Sequence, residues 1–304
     1  EGGTRHTVEA CDVHDTGEGG LAFTGGDRAS LTPSGHLAQG NNIHHFNHRG
    51  QTYRPGISMY GVGLTARQNE IHDAPHSAII FGGNDILLEL NDIHDVLRLT
   101  GDGGAVYTGR DWTFRGNVIR HNFLHDLRGV GQWENAVYID DQASGMTIAG
   151  NIFHNCHWGM LIGGGRDNTI RRNSFVSCAK AMYFDARGVG WMSKHLQDPS
   201  TSTLHKTFAA MPVDREPWNS RYPGLASYLT DRFGRPVRGV VSDSFLINTP
   251  FGKIDDHECV TESATGSETV APDAIDARAA LLIEQARHAE VTIGAAKLGP
   301  VGPR

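Results

Sequence analysis

The chain lacks any run of about 18 apolar residues, so nothing in it is long enough for a membrane-spanning helix. It has no basic cluster either. Lys and Arg number 27 against 34 Asp and Glu, a formal net charge of −7, and that mildly acidic balance speaks against a nucleic-acid partner. Four cysteines, Cys11, Cys156, Cys178 and Cys259, are too few for a disulfide scaffold in 304 residues and do not follow zinc-ligand spacing. Apolar residues at helical spacing are missing from most of the chain, which excludes helical repeat folds. No initiator Met or signal sequence stands at Glu1, so a targeting segment is expected to have been removed or left out.

Glycine, by contrast, is abundant at 38 residues, which calls for many tight turns. A length of 304 residues exceeds the usual single core, so two domains or a repeat is expected. A repeat is present. The segments CDVHD (11–15), NNIHH (41–45), NEIHD (69–73), NDIHD (91–95), NFLHD (122–126), NIFHN (151–155) and NSFVS (173–177) align without gaps, starting 30, 28, 22, 31, 29 and 22 residues apart. Between them lie short β-rich runs: GISMYG (56–61), SAIIFGG (77–83), GAVYTG (104–109), NAVYID (135–140), GMLIGG (159–164) and AMYFD (181–185). A minimum period of 22 suits one coil of a solenoid, with loops lengthening the others, whereas a propeller blade needs about 40 residues. The expected fold is all-β, a right-handed parallel β-helix.

Stacked coils turn equivalent positions into ladders about 4.8 Å apart. Val13, Ile43, Ile71, Ile93, Leu124, Phe153 and Phe175 are expected to point inward. Asn41, Asn69, Asn91, Asn122, Asn151 and Asn173 suit αL turns and coil-to-coil amide bonds. His14, His44, His72, His94, His125 and His154 recur in the same way, so they read as a packing device and not as metal ligands. Cys156 and Cys178 fall at equivalent positions, as buried thiols in preference to a disulfide. Residues 188–238 hold no repeat, five prolines, Trp191 and Trp218, and read as an insertion in a solenoid spanning 1–255. The run 239–250 resumes the repeat as a final coil. Residues 256–304 are expected to pack on the solenoid as a helix (273–290) and tail.

Four carboxylates interrupt the pattern: Asp102, Asp140, Asp141 and Asp185. Aligning Ala136 with Ala181 puts Asp140 and Asp185 at one repeat position two coils apart, with Gly163, Gly164 and Gly165 leaving room between them. Two coils separate the backbones by about 10 Å, from which side chains reach the roughly 6.5–9.5 Å of an inverting glycosidase pair. Asp102 completes the cluster, and crowding at Asp140–Asp141 is expected to raise one pKa, as suits a general acid. His45, His76, Tyr107, Arg110, Trp133, Tyr138, Arg166 and Arg187, with Trp112 and Trp158, are candidates for gripping sugar.

The strings IHHF (43–46), IHDAPHSAI (71–79), GND (83–85), GDGGAVYTGRDW (101–112), RGNVIRHNFLHD (115–126), YIDD (138–141), IGGGRDN (162–168), DARG (185–188) and RYP (221–223) resemble carbohydrate-active β-helix proteins, and most closely glycoside hydrolase family 141. The resemblance runs over about residues 10–255. It implies an α-L-fucosidase or xylanase acting on plant polysaccharide, with a catalytic Asp pair at Asp102 and at Asp140 or Asp141. A hydrolase of this kind needs no cofactor or metal and is expected as a secreted or periplasmic monomer. The alternatives are a polysaccharide lyase, which needs a Lys, Arg or His base and often Ca²⁺, and a non-catalytic sugar-binding solenoid. Only Lys180 and Lys194 lie near the trough as candidate Lys bases.

Overall fold

The computed structural model describes residues 2–263, 265–271, 274, 277 and 281. Each coil contributes three short strands, and three parallel sheets run along the solenoid. The first sheet has nine strands, from Thr7–Glu9 to Val260–Ser263. The second also has nine, from Asp12–His14 to Gly266–Glu268, and it contains every signature segment. The third has eight, from Leu21–Gly25 to Gly252–Ile254, and carries the intervening runs, among them Asp102–Gly109, Trp133–Asp140, Trp158–Gly163 and Lys180–Asp185. The sequence pattern reveals only two strands per coil. First-sheet strands such as Leu87–Glu89 are mostly three residues long, too short to show an alternation.

The inward ladder forms as expected. Val13, Ile43, Ile71, Ile93, Leu124, Phe153 and Phe175 pair in direct register. All but Val13, in the first signature coil, are fully buried, each contributing about 1.5–3 kcal/mol. Phe153 and Phe175 stack at 4.9 Å.

The asparagine ladder is real, but αL geometry is not its cause. The left-handed residues are the ones just before each Asn: Gly40, Gln68, Leu90, His121, Gly150 and Arg172. Each Asn instead bonds the next coil. Asn69 donates Nδ2 to Asn91 Oδ1 at 2.9 Å, and its backbone N–H reaches the same oxygen at 3.1 Å. Asn91 repeats this toward Asn122 and donates to Ala66 O. Asn91→Ala strips these buried partners and is expected to cost about 2–3 kcal/mol, read as a lowered urea midpoint at unchanged m-value.

The other repeated positions also stack. The imidazoles of His14, His44, His72, His94 and His125 lie face to face. Cys156 and Cys178 are free thiols, both buried.

The insertion holds three short helices, Ser193–Leu196, Thr203–Ala209 and Trp218–Arg221. They enclose a second apolar core with Trp112, Phe208, Trp218, Tyr222 and Tyr228. Trp218 Nε1 donates to Arg28 O at 2.8 Å, clamping the insertion to an early coil. After it the solenoid continues further than expected. Strands Gly252–Ile254, Val260–Ser263 and Gly266–Glu268 pair onto their sheets, so 239–250 is not the last coil and the boundary at 255 moves to at least Glu268. The helix expected over 273–290 falls, but for three isolated positions, outside the described residues. Among the described residues no helix is long and apolar enough to cross a membrane.

Candidate active site

Outward side chains of the third sheet build the site. Register places Asp140, Gly163 and Asp185 on one line, with Gly109 before them, as the alignment of Ala136 with Ala181 requires. The space over Gly163 does not stay open. A Cβ at Gly163 would stand 2.8 Å from Arg187 Cζ, so the missing side chain makes room for a guanidinium. Arg187 Nη1 lies 2.6 Å from Asp140 Oδ1 and 2.8 Å from Asp141 Oδ1. Its Nε and Nη2 hold Asp185 Oδ2 at 2.8 and 2.7 Å. This changes the expected chemistry in two ways. Asp140 and Asp185 are not an open pair flanking a water, and Asp140 and Asp141 do not confront each other uncompensated.

The turn after Asp140 is built to aim carboxylates. Asp141 and Gln142 both take positive φ, and Gln142 Nε2 donates to Gly164 O at 2.9 Å. Asp141 thereby reaches both Arg187 and Arg110, whose Nε lies 2.9 Å away. Tyr107 donates its hydroxyl to Asp140 Oδ2 at 2.7 Å. Burial first, then the Asp140 charge, pushes the Tyr107 and Tyr138 hydroxyls well above their ordinary range. The carboxyls of Asp102 and Asp185 are held above the usual carboxylate range. For Asp102 the main cause is burial, followed by the Asp140 charge. For Asp185 it is burial, opposed by Arg187.

A cleft of about 380 Å³ opens over this face, lined by Asp102, Trp133, Tyr138, Leu161, Tyr183, Asp185, Ala186, Arg187, Gly190, Trp191 and Asp255. Of the four interrupting acids, Asp102 and Asp185 line it, while Asp140 and Asp141 lie beneath. Trp133 stacks on Trp158 at 5.4 Å and is 43% exposed. Trp191, from the insertion, is 73% exposed and stands over Arg187 at 5.6 Å. A second cleft, lined by Ala186, Val189, Arg235, Asp255, Asp256, His257 and Glu258, adjoins the first at Ala186 and Asp255.

Several candidates stand elsewhere. His45 sits exposed on the turn after its second-sheet strand, its Nδ1 2.7 Å from that of His44. His76 is buried behind Gly103, bonded to Ser77 and packed at a tilt against Tyr53; burial pushes its pKa down to about 4, so it is neutral near pH 7. Arg166 is buried against Tyr228 and the carbonyls of Asp231 and Arg232, fastening the insertion. Trp112 belongs to the core of the insertion. Tyr183, Trp191 and Asp255 went unnoticed. Tyr183 was within reach, since it shares the Tyr138 repeat position through Leu161.

Three parallel sheets wound into stacked coils, with a polar and aromatic trough on one outer face, define a parallel β-helix protein. Residues 1–175 match the family model described as right handed beta helix region, and the chain belongs to that family. No curated protein matches the sequence. One similar solved structure is described as the complex structure of XylC with xylose, at 11% identity and a TM-score of 0.37. The alignment covers 81% of this chain and 52% of that one, so the chain spans about half its length.

Proposed function

We propose that the chain is a secreted or periplasmic glycoside hydrolase acting on neutral glycans, with Asp102 as general acid. The observation that carries this reading is the placement of Asp102. Its carboxyl stands exposed on the cleft wall, where partial desolvation and the charge of Asp140 hold it above its ordinary range, as a proton donor to a glycosidic oxygen requires. Asp185, three strands along the sheet from Asp102, lines the same cleft and is bonded by Arg187 on two nitrogens, a polar anchor for sugar hydroxyls. Asp140 and Asp141 position Arg187 from beneath. Trp133, Tyr183 and Trp191 offer aromatic faces to sugar rings. The finer expectation, fucosidase or xylanase chemistry, rests on the family 141 resemblance set out above.

A uronate lyase fits less well. Arg187 is the single cation among the residues lining the first cleft, and its Nε, Nη1 and Nη2 already face carboxylates. Arg187 also fills the place a Ca²⁺ bound by Asp140, Asp141 and Asp185 would need.

Incubation with xylan and fucosylated oligosaccharides is expected to release new reducing ends without the ultraviolet absorbance of an unsaturated uronate. An unsaturated product identifies a lyase, and binding without any product identifies a sugar-binding solenoid. Trp133→Ala is expected to raise KM roughly tenfold with kcat within about twofold, as for a lost stacking surface worth about 1.5 kcal/mol.

A further inference from the structure

The second sheet carries a separate cluster on its outer face. The rings of His44, His72, His94 and His125 stack at 4.7–5.0 Å with interplanar angles of 6–21°. At His72, His94 and His125, Nδ1 lies 2.8–3.0 Å from the carboxylate of the next residue, Asp73, Asp95 or Asp126. That bond puts the neutral ring's proton on Nδ1 and leaves a lone pair on Nε2. For His94 Nε2 faces Glu70 Oε1 at 3.6 Å, for His125 it faces Asp92 Oδ1 at 3.0 Å, and for His72 it faces the Asn42 amide oxygen at 3.1 Å. Each contact with a carboxylate calls for a positive charge between the two atoms, which a proton or a metal ion supplies.

The ligand atoms of Glu70, His72 and His94 lie within 4.8 Å of one another, and so do those of Asp92, His94 and His125. We propose that this column binds one borderline divalent transition ion of the zinc class, centred on His94. His125 and Asp92 complete the site on one side, and His72 and Glu70 on the other. Imidazole nitrogen with carboxylate oxygen selects zinc, nickel or copper over calcium or magnesium. Asp95 and Asp126 orient the imidazoles from behind, the carboxylate–histidine–metal arrangement of protein zinc sites. His94 belongs to both triads and has one nitrogen free of Asp95, so both cannot fill at once.

Metal–ligand distances near 2.0–2.2 Å require the side chains to close in. They have room to do so, because the side chains of Glu70, Asp92 and His94 are 55%, 38% and 19% exposed. The strand register meanwhile fixes the backbones. The site is remote in kind from the trough, where Arg187 engages Asp140, Asp141 and Asp185.

The test is calorimetric titration of the full chain with zinc chloride, followed by cobalt(II) absorption spectroscopy. The expected result is saturation at one ion per chain. His94→Gln is expected to weaken binding at least roughly tenfold and to remove the cobalt bands. His14→Gln, on the same column but outside both triads, is expected to leave affinity within about twofold. Should His94→Gln fail to fold by circular dichroism, the double variant Glu70→Gln/Asp92→Asn, at partly exposed positions, is expected to show the same loss. Absence of binding, saturation at two or more ions, unchanged affinity in His94→Gln, or an equal loss in His14→Gln overturns the proposal.

Discussion

Asp102→Asn is expected to lower kcat on natural glycans by roughly 10²–10⁴-fold, the contribution of a positioned general acid, while the fold is retained. The loss should depend on the leaving group. An aryl glycoside with an acidic phenol departs without a proton, so the variant should approach wild-type rates there. That contrast separates a lost acid from a distorted site. The pH profile supplies a second check. Asp102 has a folded-state pKa raised by burial and by Asp140, and it works protonated. Wild-type activity should therefore fall as pH rises through that raised pKa, and Asp102→Asn should lose this alkaline limb. The same shift bears on stability. A carboxyl whose folded pKa exceeds its unfolded value stabilises the fold at low pH and loses that contribution as pH rises through the folded pKa. The Asn side chain abolishes this dependence. Full activity of Asp102→Asn on natural glycans would remove Asp102 from the mechanism.

The residues that defeat sequence reading here have a common physical character. Ladders were legible because stacking makes one requirement recur at every coil: Ile43, Ile71 and Ile93 face the same interior, and Asn69, Asn91 and Asn122 each bond the next coil. Interruptions were legible too, since Asp140 and Asp185 break the repeat at one position. What alignment could not show was the occupant of the gap between them. Arg187 reaches back over Gly163 from beyond its own strand, and no periodicity encodes that reach. Nor could a repeat place Trp191, which enters from a segment without one. His45 and Arg166 misled for the opposite reason. Each lies close in sequence to coil-forming strings, yet His45 sits on the wrong turn, and Arg166 belongs to the attachment of the insertion. First-sheet strands escaped because three residues carry only one inward side chain.

Arg187→Met is expected to cost about 3–5 kcal/mol of stability near neutral pH, the usual consequence of stranding buried charges, and to reduce activity severely. Asp140, Asp141 and Asp185 are each under a tenth exposed, and the guanidinium is bonded to all three. Tyr107 and Arg110 would remain as partners of Asp140 and Asp141, but Asp185 would lose its counter-charge. The sign of the pH effect follows. Burial already raises the folded pKa of Asp185 against the opposing Arg187, and without the cation it should rise further. The Asp185 contribution is then present below the unfolded pKa of about 3.9 and lost as pH rises through the raised folded value. The stability gap between wild type and variant should therefore narrow as pH falls from 7 toward 4, measured by urea unfolding at each pH. Adding Asp185→Asn to Arg187→Met should recover part of the loss, because it removes a charge with no partner, whereas Asp185→Asn alone should destabilise. Such non-additivity is the signature of one charge network. If the two substitutions add independently, Arg187 is not what holds the acids in place, and the assignment of Asp140 and Asp141 as its supports fails with it.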